Sequence, residues 1–322
     1  MPVKKNYLLL ILSVWGTVLL HAQKPPAIDA DFPDPTVIAA NGKYYAFATN
    51  SGRNGKLMNV QVAVSDDLKS WKMLDDAMPQ KPAWASSDFW APHVIYKDVL
   101  KQYVLFFSAE TKDPEMGKGI GVAFSEKPEG PYIAQAEPLI ADTGFVAIDA
   151  MVIRDPKTKK YFMTWGSGFQ PIKIRELNVS MTRFEDGSSE IAVIPVGKDK
   201  QYARLVEGPW IDYYKGFYYL YYSGDNCCGA QANYAVLVAR AKKITGPYTR
   251  LGDWNKTQNS VFLEKDSLLI APGHNSIIRD RSGKRWIAYH AIPVDRFKAG
   301  KYARLMYLSA IDYKKGWPVI KK

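Results

Sequence analysis

The stretch DADFPDPTVIAANGKYYAFATN (residues 29–50) joins an acidic, Pro-rich run to an apolar strand and then to an aromatic strand. Alone it reads as a turn leading into a β-hairpin. It does not stand alone. Aromatic strands like KYYAFATN (43–50) recur at QYVLFFSAE (102–110), KYFMTWGS (160–167), GFYYLYYSGD (216–225) and KRWIAYHA (284–291), roughly 60 residues apart. Each follows an apolar strand and a turn: DPTVIAANG, APHVIYKDVLK, IDAMVIRDPKTK, VEGPWIDYYKG and GHNSIIRDRSG. Each precedes a third strand: MNVQVAVSDD, GIGVAFSE, IKIRELNV, NYAVLVARA and RLMYLSAID. Three modules add a similar turn and fourth strand, SDDLKSWKML, SEKPEGPYIA and AKKITGPYTRL. Small antiparallel sheets that cannot bury both faces alone must stack on one another. The sequence therefore predicts an all-β fold, a five-bladed β-propeller. A large β-sandwich would not repeat in sets of four strands at this period.

Ahead of the repeats, Lys4 and Lys5 precede the apolar run YLLLILSVWGTVLL (7–20), with a small residue at Ala22. This pattern is that of a secretory signal peptide, residues 1–22. The run is short for a membrane span, which needs about 20 residues. The expected mature chain is then one exported propeller domain, residues 23–322, acting in periplasm or medium. The formal charge of +11 could suggest an anionic partner. Its Lys and Arg residues are scattered through turns such as RDPKTKK and form no stripe, so a nucleic-acid partner is not expected. The two cysteines, Cys227 and Cys228, are adjacent. They cannot staple distant segments and are no zinc motif; they are either two free thiols or a vicinal disulfide within one loop.

In a propeller, first strands line the central channel and all begin on one face. The residues at those starting points are Asp34, Ala91-Pro92, Asp149, Glu207 and His274. Three acids and a histidine should thus converge on the axis. Asp155, Asp212 and Asp280 lie at the opposite strand ends, as ordinary turn residues. Burying three carboxylates together is costly unless they do chemistry. Such a cluster suits glycosidic hydrolysis: one carboxyl stays protonated to serve the leaving oxygen, and another stays ionised to activate water. A third negative charge beside the acid keeps it loaded.

Taken together, FPDPTVI, IDAMVIRDPKTKKYFMTWGS, VEGPW, APGHNSI and the GPY turns resemble glycoside hydrolase family 43 over essentially the whole mature chain. The resemblance implies an inverting enzyme with Asp34 as general base, Glu207 as general acid and Asp149 as the orienting, pKa-setting carboxylate. It implies Arg304, in YARLMYL, as a clamp on the sugar or the base. It also places His274 where arabinan-active members help hold a hydrated calcium on the channel axis. The residue alone fits a packed polar side chain equally well, and one histidine gives calcium little affinity. No other cofactor is implied.

Loops joining second to third strands return to the active face: NSGRNGKL, AETKDPEMGK, GSGFQP, GDNCCGAQA and IPVDRFKAGK. They should shape the pocket, with Cys227-Cys228 near its rim. Phe32, Trp90 and Trp165 are the aromatics expected to meet the sugar. The implied substrates are arabinose- or xylose-containing plant polysaccharides, with α-L-arabinofuranosidase action foremost. The alternatives are β-xylosidase, endo-arabinanase or exo-galactanase activity, or a non-catalytic sugar-binding propeller. Retaining fructan-cleaving propellers carry WMNDPN-like and EC motifs that are missing here. A phosphorylase would need more basic side chains at the site than Arg304 alone.

Overall fold

A computed structural model describes Met1 and residues 25–321; the expected signal peptide, beyond Met1, lies outside the described residues. Five antiparallel sheets follow one another, each with its strands in chain order from first to fourth. Blade one comprises Thr36–Ala40, Lys43–Ala48, Gln61–Ser65 and Lys72–Met73. Blade two comprises Ala85–Lys97, Gln102–Thr111, Lys118–Ser125 and Ile133–Ala134, and blade three Met151–Arg154, Tyr161–Trp165, Ile172–Leu177 and Ile191–Ile194. Blade four comprises Val206–Tyr214, Phe217–Gly224, Ala235–Ala241 and Thr249–Arg250. Blade five comprises Leu269–Arg279, Arg285–Pro293, Leu305–Lys314 and Trp317–Ile320. Blades three and five thus carry fourth strands that their turn sequences do not announce. No helix among the described residues is long and apolar enough to cross a membrane.

First strands of neighbouring blades touch in a closed cycle, one to two through to five back to one. The core is divided in the same way, with one apolar cluster in each of the five interfaces between blades. The run FYYLYY shows how the sequence achieves this. Side chains alternate across a strand, so Tyr218, Leu220 and Tyr222 pack toward blade three, whereas Tyr219 and Tyr221 pack toward blade five. An aromatic strand buried on both faces is what stacked sheets require. The ring closes through the segment before blade one. The Ala27 N–H donates to the Met306 carbonyl at 2.8 Å and the Phe32 N–H to the Arg304 carbonyl at 2.8 Å, alongside the third strand of blade five.

Candidate active site

Each first strand is reached through the same backbone device. Asp34, Ala91, Asp149, Gly208 and His274 all adopt left-handed φ, between 43° and 64°. Their N–H groups are held by a polar group of the preceding blade: Asp34 by His290 Nδ1 (3.1 Å), Ala91 by Thr49 Oγ1 (2.9 Å), Asp149 by Ser108 Oγ (3.0 Å) and His274 by Ser223 Oγ (2.8 Å). In blade four the residue held is Gly208, whose N–H donates to Asp149 Oδ2 at 3.0 Å.

This corrects one part of the sequence reading. Glu207 is not the equivalent of Asp34, Asp149 and His274; Gly208 is. Strand pairing agrees: Glu207 opposes Ser223 just as Trp90 opposes Ser108 and Gly273 opposes His290. Glu207 therefore lies one residue earlier, at the last paired position before the turn. A Cβ on Gly208 would come within 3.1 Å of His274 Nδ1, so a side chain at the turn position itself would crowd the imidazole.

All three acids are buried yet line one pocket of about 400 Å³, together with Trp90, His274 and Arg304. That volume lies within the range of small-ligand sites. Asp34 accepts hydrogen bonds from Thr49 Oγ1 (2.5 Å) and Arg304 Nη1 (3.0 Å). His274 Nδ1 stands 3.5 Å from Asp34 Oδ1 and 3.8 Å from Asp149 Oδ2, between the two turn carboxylates. Glu207 is held by other donors, Tyr234 O–H at 2.7 Å and Ser167 O–H at 2.5 Å.

These surroundings push the carboxyls apart. Burial works to raise Asp34, but Arg304 and the imidazoles of His274 and His290 outweigh it, leaving Asp34 well below the usual carboxylate range. Burial raises Asp149, and the charges of Glu207 and Asp34 drive it well above that range. Burial also raises Glu207, which Asp34 reinforces while Ser167 and Tyr234 oppose it. One carboxylate remains ionised and two are biased toward holding protons. Burial lowers both histidines, His290 to about 4, against the opposing pull of Asp34.

Of the remaining expected site residues, Arg304 grips Asp34 and Trp90 lines the pocket. The Trp90 ring carries Lys118 Nζ at 3.9 Å from its centroid. Phe32 and Trp165 do not reach the pocket. Phe32 is fully buried between blades five and one, and Trp165 is 1% exposed between blades two and three, against Phe184. Alternation along its strand turns Trp165 into a blade interface, whereas Phe32 lies in the segment before blade one that is held to Arg304 of blade five. Among the five expected rim loops, GSGFQP supplies Phe169, and GDNCCGAQA supplies Asn226, Cys227 and Cys228. The cysteines are joined as a vicinal disulfide. Tyr234, Ser167 and Phe145 were not anticipated. Ser167 follows Gly166, whose position in blade three matches the N–H-binding Ser108 and Ser223, and that register was the available clue.

Among the described residues no group of three or more His, Cys, Asp or Glu side chains could hold a metal. Calcium prefers six to eight oxygens, so the donor set does not fit a calcium caged by protein. His274 fits at most a weakly held hydrated ion, which would add positive charge beside the carboxylates.

A five-bladed propeller with one carboxyl lowered and two raised in a single axial pocket has the makings of a glycoside hydrolase. Comparison with known proteins agrees. The family model for glycosyl hydrolases family 43 matches residues 23–318, and the chain belongs to that family. Among curated relatives, the probable arabinan endo-1,5-alpha-L-arabinosidase A of Aspergillus flavus is 27% identical, covering 89% of this chain and 90% of that protein. The extracellular exo-alpha-(1->5)-L-arabinofuranosidase ArbA of Cellvibrio japonicus is 24% identical, over 91% and 87%. Among solved structures, an exo-1,5-alpha-L-arabinanase from a bovine ruminal metagenomic library is 27% identical with a TM-score of 0.74, covering 92% of this chain and 99% of that one.

Proposed function

We propose that the protein is an inverting hydrolase of arabinose-containing polysaccharides, cleaving α-L-arabinofuranosyl linkages, with 1,5-linked arabinan as the leading substrate. The observation that carries this reading is the opposed electrostatics of Asp34 and Glu207 in one pocket. Pairs of carboxyls pushed apart in this way identify base and acid.

Ionised Asp34 takes a proton from water as that water attacks the anomeric carbon. Glu207 gives its proton to the departing glycosidic oxygen, and the product sugar has inverted configuration. Position favours Glu207 over Asp149 as the acid. Asp149 shares His274 Nδ1 with Asp34 and so sits beside the base. An inverting acid must act from across the sugar, and Glu207, set on the strand of the next blade, supplies that role. Asp149 fixes the Gly208 turn, and the charge of Asp34 adds to burial in keeping Glu207 loaded. Arg304 holds the base carboxylate in place.

The arabinan assignment draws on the relatives' names, which include both endo- and exo-acting enzymes. Relatives named as extracellular, with the Lys4–Leu20 pattern, support export. The test is proton NMR of the first-formed sugar during hydrolysis of linear arabinan and arabino-oligosaccharides, with galactan and xylo-oligosaccharides as controls. An inverted anomer is expected. Retention, or activity confined to the controls, would overturn the reading.

A further inference from the structure

We propose that the Cys227–Cys228 disulfide is the floor of a second sugar subsite, which binds the pentose ring adjoining the one that is cut. This rests on the arabinan reading above. The disulfide lines the same pocket as Asp34, Asp149 and Glu207. It is carried on a built loop: the Asn233 N–H donates to the Asn226 carbonyl (2.9 Å), Asn226 Nδ2 to the Cys228 carbonyl (3.2 Å) and Asn233 Nδ2 to Asp225 Oδ2 (3.2 Å). Cys227 is half-buried against a cluster of Ala232, Tyr234, Ala271 and Ile292, while Cys228 is exposed. Tyr234 in that cluster is the donor to Glu207, so the platform and the acid share one support.

A structural role explains the bond poorly. A disulfide stabilises by closing a loop in the unfolded chain, and joining adjacent residues closes almost none. What the bond does provide is a patch of polarisable sulfur with no charge and little hydrogen-bonding demand. A furanose ring presents an apolar C–H face and a rim of hydroxyls, and such a patch complements that face. The same pocket is lined by Phe145 and Phe169, both exposed and packed edge to face at 6.3 Å. The hydroxyl rim has partners too. A second hollow of about 400 Å³ shares Phe169, Leu205 and Asn226 with the main pocket and adds Arg204, Asp225 and Gln231. Apolar floor and polar edge together select a sugar chain over a single sugar.

The test is C227S/C228S in the full chain, assayed on arabino-oligosaccharides of two to six units. KM is expected to rise about tenfold, equivalent to ~1.4 kcal/mol, with kcat within about twofold of wild type. As a second arm, the wild-type protein is reduced with dithiothreitol, its two thiols are counted by mass spectrometry and its fold is checked by circular dichroism; the same rise in KM is expected. Unchanged KM in folded protein lacking the disulfide, with normal wild-type hydrolysis, overturns this proposal alone. A wild-type enzyme that neither binds nor cuts any arabino-oligosaccharide overturns it together with the reading beneath it.

Discussion

Replacing Tyr234 by Phe tests the acid assignment more sharply than deleting the acid itself. Phe keeps the ring, which stacks on His290 with centroids 5.7 Å apart and supports the disulfide loop. Only the hydroxyl that donates to Glu207 Oε1 at 2.7 Å is lost. That hydrogen bond favours the ionised form of Glu207, opposing the effect of burial. A hydrogen bond to a charged group is worth about 1.5–3 kcal/mol, so its loss makes ionisation of Glu207 roughly ten- to a hundredfold less favourable. The sign follows directly. An enzyme whose acid must be protonated loses activity as pH rises through the ionisation of that acid. A carboxyl that ionises less readily moves this alkaline limb to higher pH, by about one pH unit per tenfold. The acidic limb, set by Asp34, stays in place because Tyr234 makes no contact with Asp34 that carries its low value. The assay is kcat/KM against pH on an arabino-oligosaccharide, which reports the free enzyme. An alkaline limb that stays put or moves down would refute Glu207 as the acid.

Glu207→Gln is expected to lower kcat on arabinan by about 10²–10⁴, with much less effect on an aryl arabinofuranoside whose leaving group needs no proton; steady-state rates on both substrates check this. Asp149→Asn is expected to cut activity yet raise Tm at pH 7. The raised folded-state value of Asp149 means its contribution to stability is intact below the unfolded carboxyl range and lost as pH climbs toward the folded value, so calorimetry at pH 4 and pH 7 should find the gain only at the higher pH. Lys118→Met removes the cation over Trp90, along with ion pairs to Asp88 (2.7 Å) and Glu110 (2.6 Å); KM should rise a few-fold with kcat nearly unchanged. Dialysis against a chelator is expected to leave Tm unchanged, and a drop restored by calcium would place a bound ion at His274.

The fold was legible because its signal is periodic. Aromatic strands such as KYYAFATN and GFYYLYYSGD announce the second strand of each blade, and the turns around them fix the antiparallel order. Fourth strands at Ile191–Ile194 and Trp317–Ile320 were hidden because edge strands are short and these two lack the turn-and-strand pattern shared by the other three blades. Asp34, Asp149 and Glu207 could be named because axial acids are costly and therefore conspicuous, whereas Arg304 came only from the family resemblance. Phe32 and Trp165 were misjudged for a different reason. Being near the active face in sequence does not say which way a ring points, and on a strand one position decides it.

That same sensitivity to one position explains how the blades make different acids from one turn. Asp34 and Asp149 sit at the left-handed residue, where the side chain faces the histidine ring on the axis, and for Asp34 an arginine as well. If blade four followed the rule, its carboxylate would stand at position 208 and crowd His274. Placing glycine there and the acid at the preceding paired residue turns the carboxyl toward Tyr234 and Ser167 instead. Space for that partner is made in blade five by Gly273, where a Cβ would stand 2.0 Å from the Tyr234 ring. Two glycines thus set Asp34 and Glu207 apart on an otherwise repeating scaffold, and the difference in proton affinity between them follows from which neighbours each one meets.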